Sequence, residues 1–420
     1  MAPAGGRPVR ATVGRRQKGM PDLRLMLVLL GLYVSQSIPL YLFSAALPAI
    51  MREIGVSRTS IGLLSILALP WIVKFLWAPL VDRYALWRPL GRRRSWIIPL
   101  QASIIVLVLL LAQFPPGENI AALFVIGALI AVLSATQDAA ADGYAVERLA
   151  PAERSIGNAI QGGAVAIGVI AGGAGTLLLY DRIGWEGALT IIGFIAFLAA
   201  LPLALMQEGE MEDEAASAPR ASLRNFFARA DARGALAFCL LYRGSEGLVK
   251  GMEQPFLVDS NLSLTAVGLV SGGSATVGLV GSVLAAIVIR KLGLHPCLWG
   301  LGLGRTVIYA GFTLFAALQL GGTVTLIGLA LLHTLSRYME IVALYSLFMG
   351  LCSRHQAATD FTLLSCAQLL VYMGGAMVSG AVADAVGYAN LFAIGTALSL
   401  AGIVLAMRQI PPDHPAFKVS

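Results

Sequence analysis

Four ionisable residues, Arg243, Glu246, Lys250 and Glu253, interrupt an otherwise apolar run from Gly234 to about Val258. Their spacing of 3, 4 and 3 residues sets all four on one helical stripe. An ionisable side chain near the centre of a bilayer costs about 3 kcal/mol even on lenient insertion scales, so the stripe persists only if its members pair or line a polar cavity. A stripe of alternating sign inside a bundle is what an ion or solute pathway needs. A second group lies earlier in the chain, where Asp138 and Asp142 stand four residues apart on one face of an apolar run and Lys74 lies within another. Two carboxylates and one ammonium at similar depth form either a static ion pair joining two helices or a cluster in which one Asp takes up and releases a proton.

The elements that position these groups follow from composition. The chain has 420 residues, of which 57% are hydrophobic and only 13% charged, and its mean hydropathy is +0.79. That excludes a soluble globular protein and defines a polytopic membrane protein. Apolar runs recur at about 25–50, 58–80, 95–114, 120–145, 155–180 and 186–206, then at 234–258, 264–288, 295–318, 323–350, 357–383 and 388–408. Each is long enough to cross about 30 Å of hydrocarbon as a helix, so twelve spans are predicted. Six Lys and Arg fall in residues 1–24, and five more lie between spans 2 and 3. Four arginines in the central loop (Arg220, Arg224, Arg229, Arg233) contrast with only Arg52, Arg58 and Arg182 in the opposite loops. The positive-inside rule then sets both termini in the cytoplasm. The sequence pI of about 9.4 follows from this asymmetry and requires no nucleic acid. The basic N-terminus and long first span read as a retained helix. Cys239, Cys297, Cys352 and Cys366 lack metal-type spacing and are expected to be free thiols, with no metal or cofactor.

Residues 207–233 open acidic and close basic, as a flexible linker between two six-span halves would. The predicted organisation is an N-terminal tail (1–24), a first bundle (25–206), this linker, a second bundle (234–408) and a tail (409–420). The halves repeat. GVSRTSIGLLS at 55–65 matches NLSLTAVGLVS at 261–271 at an offset of 206, and DRIGW at 181–185 matches DAVGY at 384–388 at an offset of 203. Copies separated by six spans share one topology, giving an all-α membrane fold of twelve helices in two parallel-related six-helix bundles, the architecture of major facilitator transporters.

Asp82 and Arg83 close span 2, and Gly91, Arg92, Arg93 and Arg94 precede span 3. This resembles the signature that joins the second and third helices of the major facilitator superfamily, with Ala78 where the family prefers Gly and a longer loop. Such charges can pair with one another or with helix ends in one conformation and release in the other, with Glu147 and Arg148 as partners, or serve topology alone. VKFLWAPLVDRY (73–84), GRRRSW (91–96), QDAAADGYAVERLAPAER (137–154) and DFTLLSC (360–366) resemble the AmpG-like permeases. The twelve-span length, LYVSQSIPL (32–40) and RSWIIPLQ (94–101) look more like the RhtX/FptX branch of siderophore importers.

The resemblance implies import of a ferric siderophore across a bacterial inner membrane by a monomer, driven by protons. It also implies that spans 1, 4, 7 and 10 line a cavity. Span 10 carries His333, Arg337 and Glu340 on one face, at the depth of Arg243 and Glu246. Arg243, Lys250 and Arg337 are then candidates for an anionic solute, and Glu246, Glu340, Asp138, Asp142 and His333 for proton coupling. The alternative is an Arg–Glu lattice that never meets solute, and a lone buried His is most often a satisfied core group. Arg305, on a span that is usually peripheral, requires a buried pair or a turned helix. Tyr33, Tyr41, Trp71, Tyr242, Tyr338, Tyr345 and Tyr372 are candidates for stacking on an aromatic ligand, and Gln36, Gln161 and Gln368 for reaching the cavity. A muropeptide, acyl-CoA or other organic-anion permease would share the fold. A membrane-embedded transferase is the rival from another class, but no HExxH, nucleophile elbow, metal cluster or phosphate loop supports it.

Overall fold

Proline and glycine set the architecture by interrupting helices at a few chosen heights. The computed structural model describes residues 22–55, 64–117, 119–207, 220–262, 264–318 and 322–418. Span 1 (Leu23–Met51) passes through a π-helical turn, Leu42–Ala46, shortly after Pro39, whose ring leaves no N–H for the preceding turn. Span 2 (64–83) is built of short α and 3-10 pieces around Pro70 and Pro79, and one 3-10 turn, Lys74–Leu76, buries Lys74. Spans 3 (Arg92–Leu111) and 4 (Ile120–Arg148) are continuous helices.

Pro151–Leu205 contains spans 5 and 6, divided at Gly184 (φ 72°, ψ −176°), and Ala357–Met407 contains spans 11 and 12, divided at Gly387 (φ 78°, ψ 165°). Only glycine occupies that backbone region at low cost. The two glycines are the matched positions of DRIGW and DAVGY, so the second sequence repeat is a repeated turn. Of the first repeat, 55–65 against 261–271, residues 56–63 and 263 lie outside the described residues, as do the tail 1–21 and residues 208–219. Span 7 is two helices, Ala232–Arg243 and Glu246–Asp259, broken at Gly244 and Ser245 between the charges. Spans 8 (Leu264–Leu292), 9 (Leu294–Leu318) and 10 (Thr323–Leu351) complete the second half, so the described residues form twelve spans. Spans 4 and 10 are each 29 residues long and begin 203 residues apart, at the offset of the glycine turns.

The cores show how the halves meet. At the end of the bundle that carries the linker, one continuous cluster joins them, with Leu29, Ile97 and Tyr144 from the first and Phe238, Phe348 and Phe361 from the second. Toward the opposite end each half keeps its own cluster, around Leu47, Leu111 and Trp185 in one and Phe256, Phe312 and Phe392 in the other. The molecule is therefore sealed on the linker side.

Candidate transport site

The first half presents an acid-rich group. The interrupted turn of span 2 directs the Lys74 ammonium at Asp138 on span 4, with Asp142 at 3.7 Å. Gln36 donates to Asp138, while Tyr33 (3.3 Å) and Gln161 (3.2 Å) donate to Asp142. Spans 1, 2, 4 and 5 thus converge on two acids that share one ammonium, a formal excess of one acid. Asp142 and Lys74 are buried, whereas the Asp138 side chain keeps 16% of its surface open. Asp138 is therefore the most open member of the group. The group is the one expected from sequence; Tyr33, Gln36 and Gln161 serve it as hydrogen-bond donors.

The second half presents a cation-rich lattice. Arg243 pairs with Glu246 across the break in span 7 and approaches Glu340 at 3.6 Å. Arg337 Nε donates to Glu246 at 2.7 Å, and Arg305 donates to Glu340 at 2.8 Å. Three guanidiniums share two carboxylates, leaving one positive charge. Arg243, Arg305, Glu246 and Glu340 are buried, but Arg337 keeps 26% of its side chain open and lies over the Tyr372 ring at 5.5 Å. Arg337 is therefore the most open guanidinium of the lattice. Among the described residues, Glu340 Oε1 and Arg305 Nη2 of this lattice have no hydrogen-bond partner, nor does the buried Gln368 Oε1 of span 11. Tyr345 of span 10 lies within electrostatic reach of Asp142 in the first half and of Arg243 in the second.

Some expected roles do not match the placements. Tyr242 is fully buried, donates to the Leu298 carbonyl at 2.8 Å and has its ring covered by the Arg305 guanidinium at 4.9 Å. Packed that way it offers no face to a solute. Tyr338 packs against Gly278 of span 8. His333 and Lys250 do not join the lattice; both bind Glu253, Lys250 at 2.6 Å, in a separate trio one to two turns away. Arg305, for which the sequence required a buried pair or a turned helix, is the buried partner of Glu340, with Ser399 accepting from its Nε at 3.1 Å. Sequence reasoning also missed the buried pair Gln101 and Gln137, linked at 2.6 Å between spans 3 and 4, because neutral side chains raise no charge signal.

The linker-side charges form a clasp. Arg93 is fully buried and donates to Asp82 at 2.6 Å and to Glu147, which also takes Arg92 at 2.6 Å. Asp82 in turn accepts the Ala358 and Thr359 amides at 3.2 and 2.7 Å, so a carboxylate of the first half caps the first turn of span 11 in the second. Beside it Asp360 accepts from Arg229 of the linker at 2.6 Å. Two expected members stand outside. Arg83 donates instead to the Ala221 carbonyl of the linker, and Arg148 forms no ion pair among the described residues.

Two halves sealed at one end, with opposed charged groups midway, define a membrane transporter of the two-bundle class. The chain belongs to the Major Facilitator Superfamily, whose family model matches residues 29–370. It is 29% identical over 401 residues to the anhydromuropeptide permease of Escherichia coli K12, covering 90% of this chain and 78% of that protein. It is 30% identical to a protein of Haemophilus influenzae, covering 94% of this chain and 97% of that one. In fold it is similar to a bacterial homologue of the iron transporter ferroportin in an outward-facing state, with TM-score 0.66, 17% identity and 93% and 99% coverage.

Proposed function

We propose that the protein is a proton-coupled importer of a carboxylate-bearing solute of the anhydromuropeptide class in a bacterial inner membrane, with the linker and both termini cytoplasmic. In this reading residues 25–206 and 234–408 rock about the linker 207–233. The observation that carries it is Arg337, a partly open guanidinium in a lattice of three guanidiniums to two acids, while the first half gathers two acids about one ammonium. A muropeptide is a sugar joined to a short peptide and offers carboxylates for the first and an amine or polar groups for the second. Entry of the solute carboxylate beside Arg337 competes with Glu246 for the guanidinium. A proton on Asp138 weakens its hold on Lys74 and removes the excess negative charge of its group. Similarity to the Escherichia coli permease over nine-tenths of the chain supports this solute class.

The ferric siderophore expected from the branch resemblance gains no such support. The likeness to the ferroportin homologue, at 17% identity, speaks to fold alone. Uptake of radiolabelled anhydromuropeptide and of ferric siderophores into proteoliposomes, with and without an imposed proton gradient, decides between them. Gradient-dependent accumulation of the muropeptide is expected; accumulation of a siderophore alone overturns the reading.

A further inference from the structure

A groove of about 380 Å³ runs along the outside of the molecule where the halves meet, between spans 1 and 5 of the first and span 8 of the second. Its walls are apolar, with Ile156, Ile160 and Gly163 from span 5 and Leu279, Val283 and Ile287 from span 8. From Leu279 to Arg290 the span 8 wall rises for about 16 Å at 1.5 Å per residue, so the groove is a strip parallel to the helices. One end is charged. Arg290, in the last turn of span 8 on the linker side, lines the groove, is exposed, and forms no hydrogen bond or ion pair among the described residues. Just beyond, Arg154 and Lys418 line a small adjoining hollow with Ile289. An apolar strip ending in unpaired cations at headgroup height has the polarity of an anionic phospholipid.

We infer that this groove is a binding site for one anionic phospholipid of the linker-side leaflet, its acyl chain along spans 5 and 8 and its phosphate at Arg290. Spans 5 and 8 belong to different halves and touch closely beside the groove, where a Cβ on Gly162 would overlap the Ser282 hydroxyl. Rocking of the halves changes the distance between the two walls, so the lipid favours the state in which the groove has this width. The inference rests on the two-bundle fold and is independent of which solute is carried.

Native mass spectrometry of the full-length protein, titrated with phosphatidylglycerol or with phosphatidylcholine of the same chains, tests it. The wild type is expected to retain one phosphatidylglycerol at about fivefold lower concentration than phosphatidylcholine, the effect of one basic side chain near a phosphate. Arg290→Ala is expected to abolish that preference while leaving weak binding of both lipids. Ala286→Trp, which fills the groove, is expected to remove the retained lipid altogether. Equal retention of the two lipids by the wild type, or a preference that survives Arg290→Ala, overturns the site. Because Arg290 is exposed and unpaired, its replacement tests the site even if the tryptophan variant does not fold.

Discussion

Spans 4 and 10 fill the same slot in the two halves, yet at the same position one carries Gln137 and the other Glu340. Gln137 donates to Gln101 on span 3 at 2.6 Å; Glu340 accepts from Arg305 on span 9 at 2.8 Å. One tie between neighbouring helices is thus neutral in the first half and ionic in the second. A charged pair and a neutral pair therefore make the same kind of tie between neighbouring helices, so charge alone does not mark a transport residue. The groups with no like counterpart carry more meaning. At the same offset Asp138 corresponds to Ile341, Asp142 to Tyr345 and Arg337 to Ser134.

The largest expected effect lies in the first half. Asp138→Asn removes the more open acid and leaves Asp142 to hold Lys74, and gradient-driven accumulation should fall to the equilibrium level. Exchange of labelled for unlabelled solute without a gradient should persist. Full accumulation by this variant would move proton coupling away from Asp138.

Next in size is the buried tie. Arg305→Ala leaves Glu340 with Arg243, at 3.6 Å, as its one remaining cation and removes its hydrogen-bond donor, which should destabilise the protein by about 1 to 3 kcal/mol, read as a lower Tm. Copying the first half, with Arg305→Gln and Glu340→Gln together, should restore most of that stability and leave transport within a few-fold of wild type. A stable but inactive double variant would show that the two halves differ here in function as well as charge.

How far the sequence foretold this depended on the kind of signal. Twelve spans were legible because each apolar run must satisfy its own backbone in lipid, and the glycine turns because DRIGW and DAVGY carry the residue the turn requires. Lys74 with Asp138 and Asp142 was legible too, since a buried ammonium among apolar residues needs acids at its own depth. The partners within the second half were not. Helical spacing shows which residues share a stripe, but not that span 9 turns Arg305 inward, nor that a break at Gly244 and Ser245 brings Arg243 against Glu246. Tyr242 misled for a related reason. An aromatic beside a cavity arginine reads as a ligand platform until another guanidinium is seen lying on its face.

A smaller effect separates the lattice's open arginine from its buried ones. Arg337→Ala removes a charge-assisted hydrogen-bond donor from the solute and should raise KM about ten- to a hundredfold with little change in Tm. Arg337→Lys should recover only part of the loss, since an ammonium cannot hold Glu246 and a carboxylate in one plane. A Tm loss as large as that of Arg305→Ala would class Arg337 as a second packing tie.

The smallest effect belongs to Lys250, which opened the question by lying on the same stripe as Arg243. It binds Glu253 at 2.6 Å, and Glu253 is also held by His333, so removing the ammonium leaves the carboxylate one partner. Lys250 keeps 21% of its side chain open while Glu253 is buried, so the bridge lies above the weakest exposed pairs, at about 1 kcal/mol. Lys250→Ala should therefore change KM by less than about threefold and Tm only slightly. His333→Ala, which takes the buried partner from Glu253, should cost more stability than Lys250→Ala. If Lys250→Ala instead matched Arg337→Ala in KM, the solute would extend along span 7 past the break, and the Glu253 trio would join the binding surface.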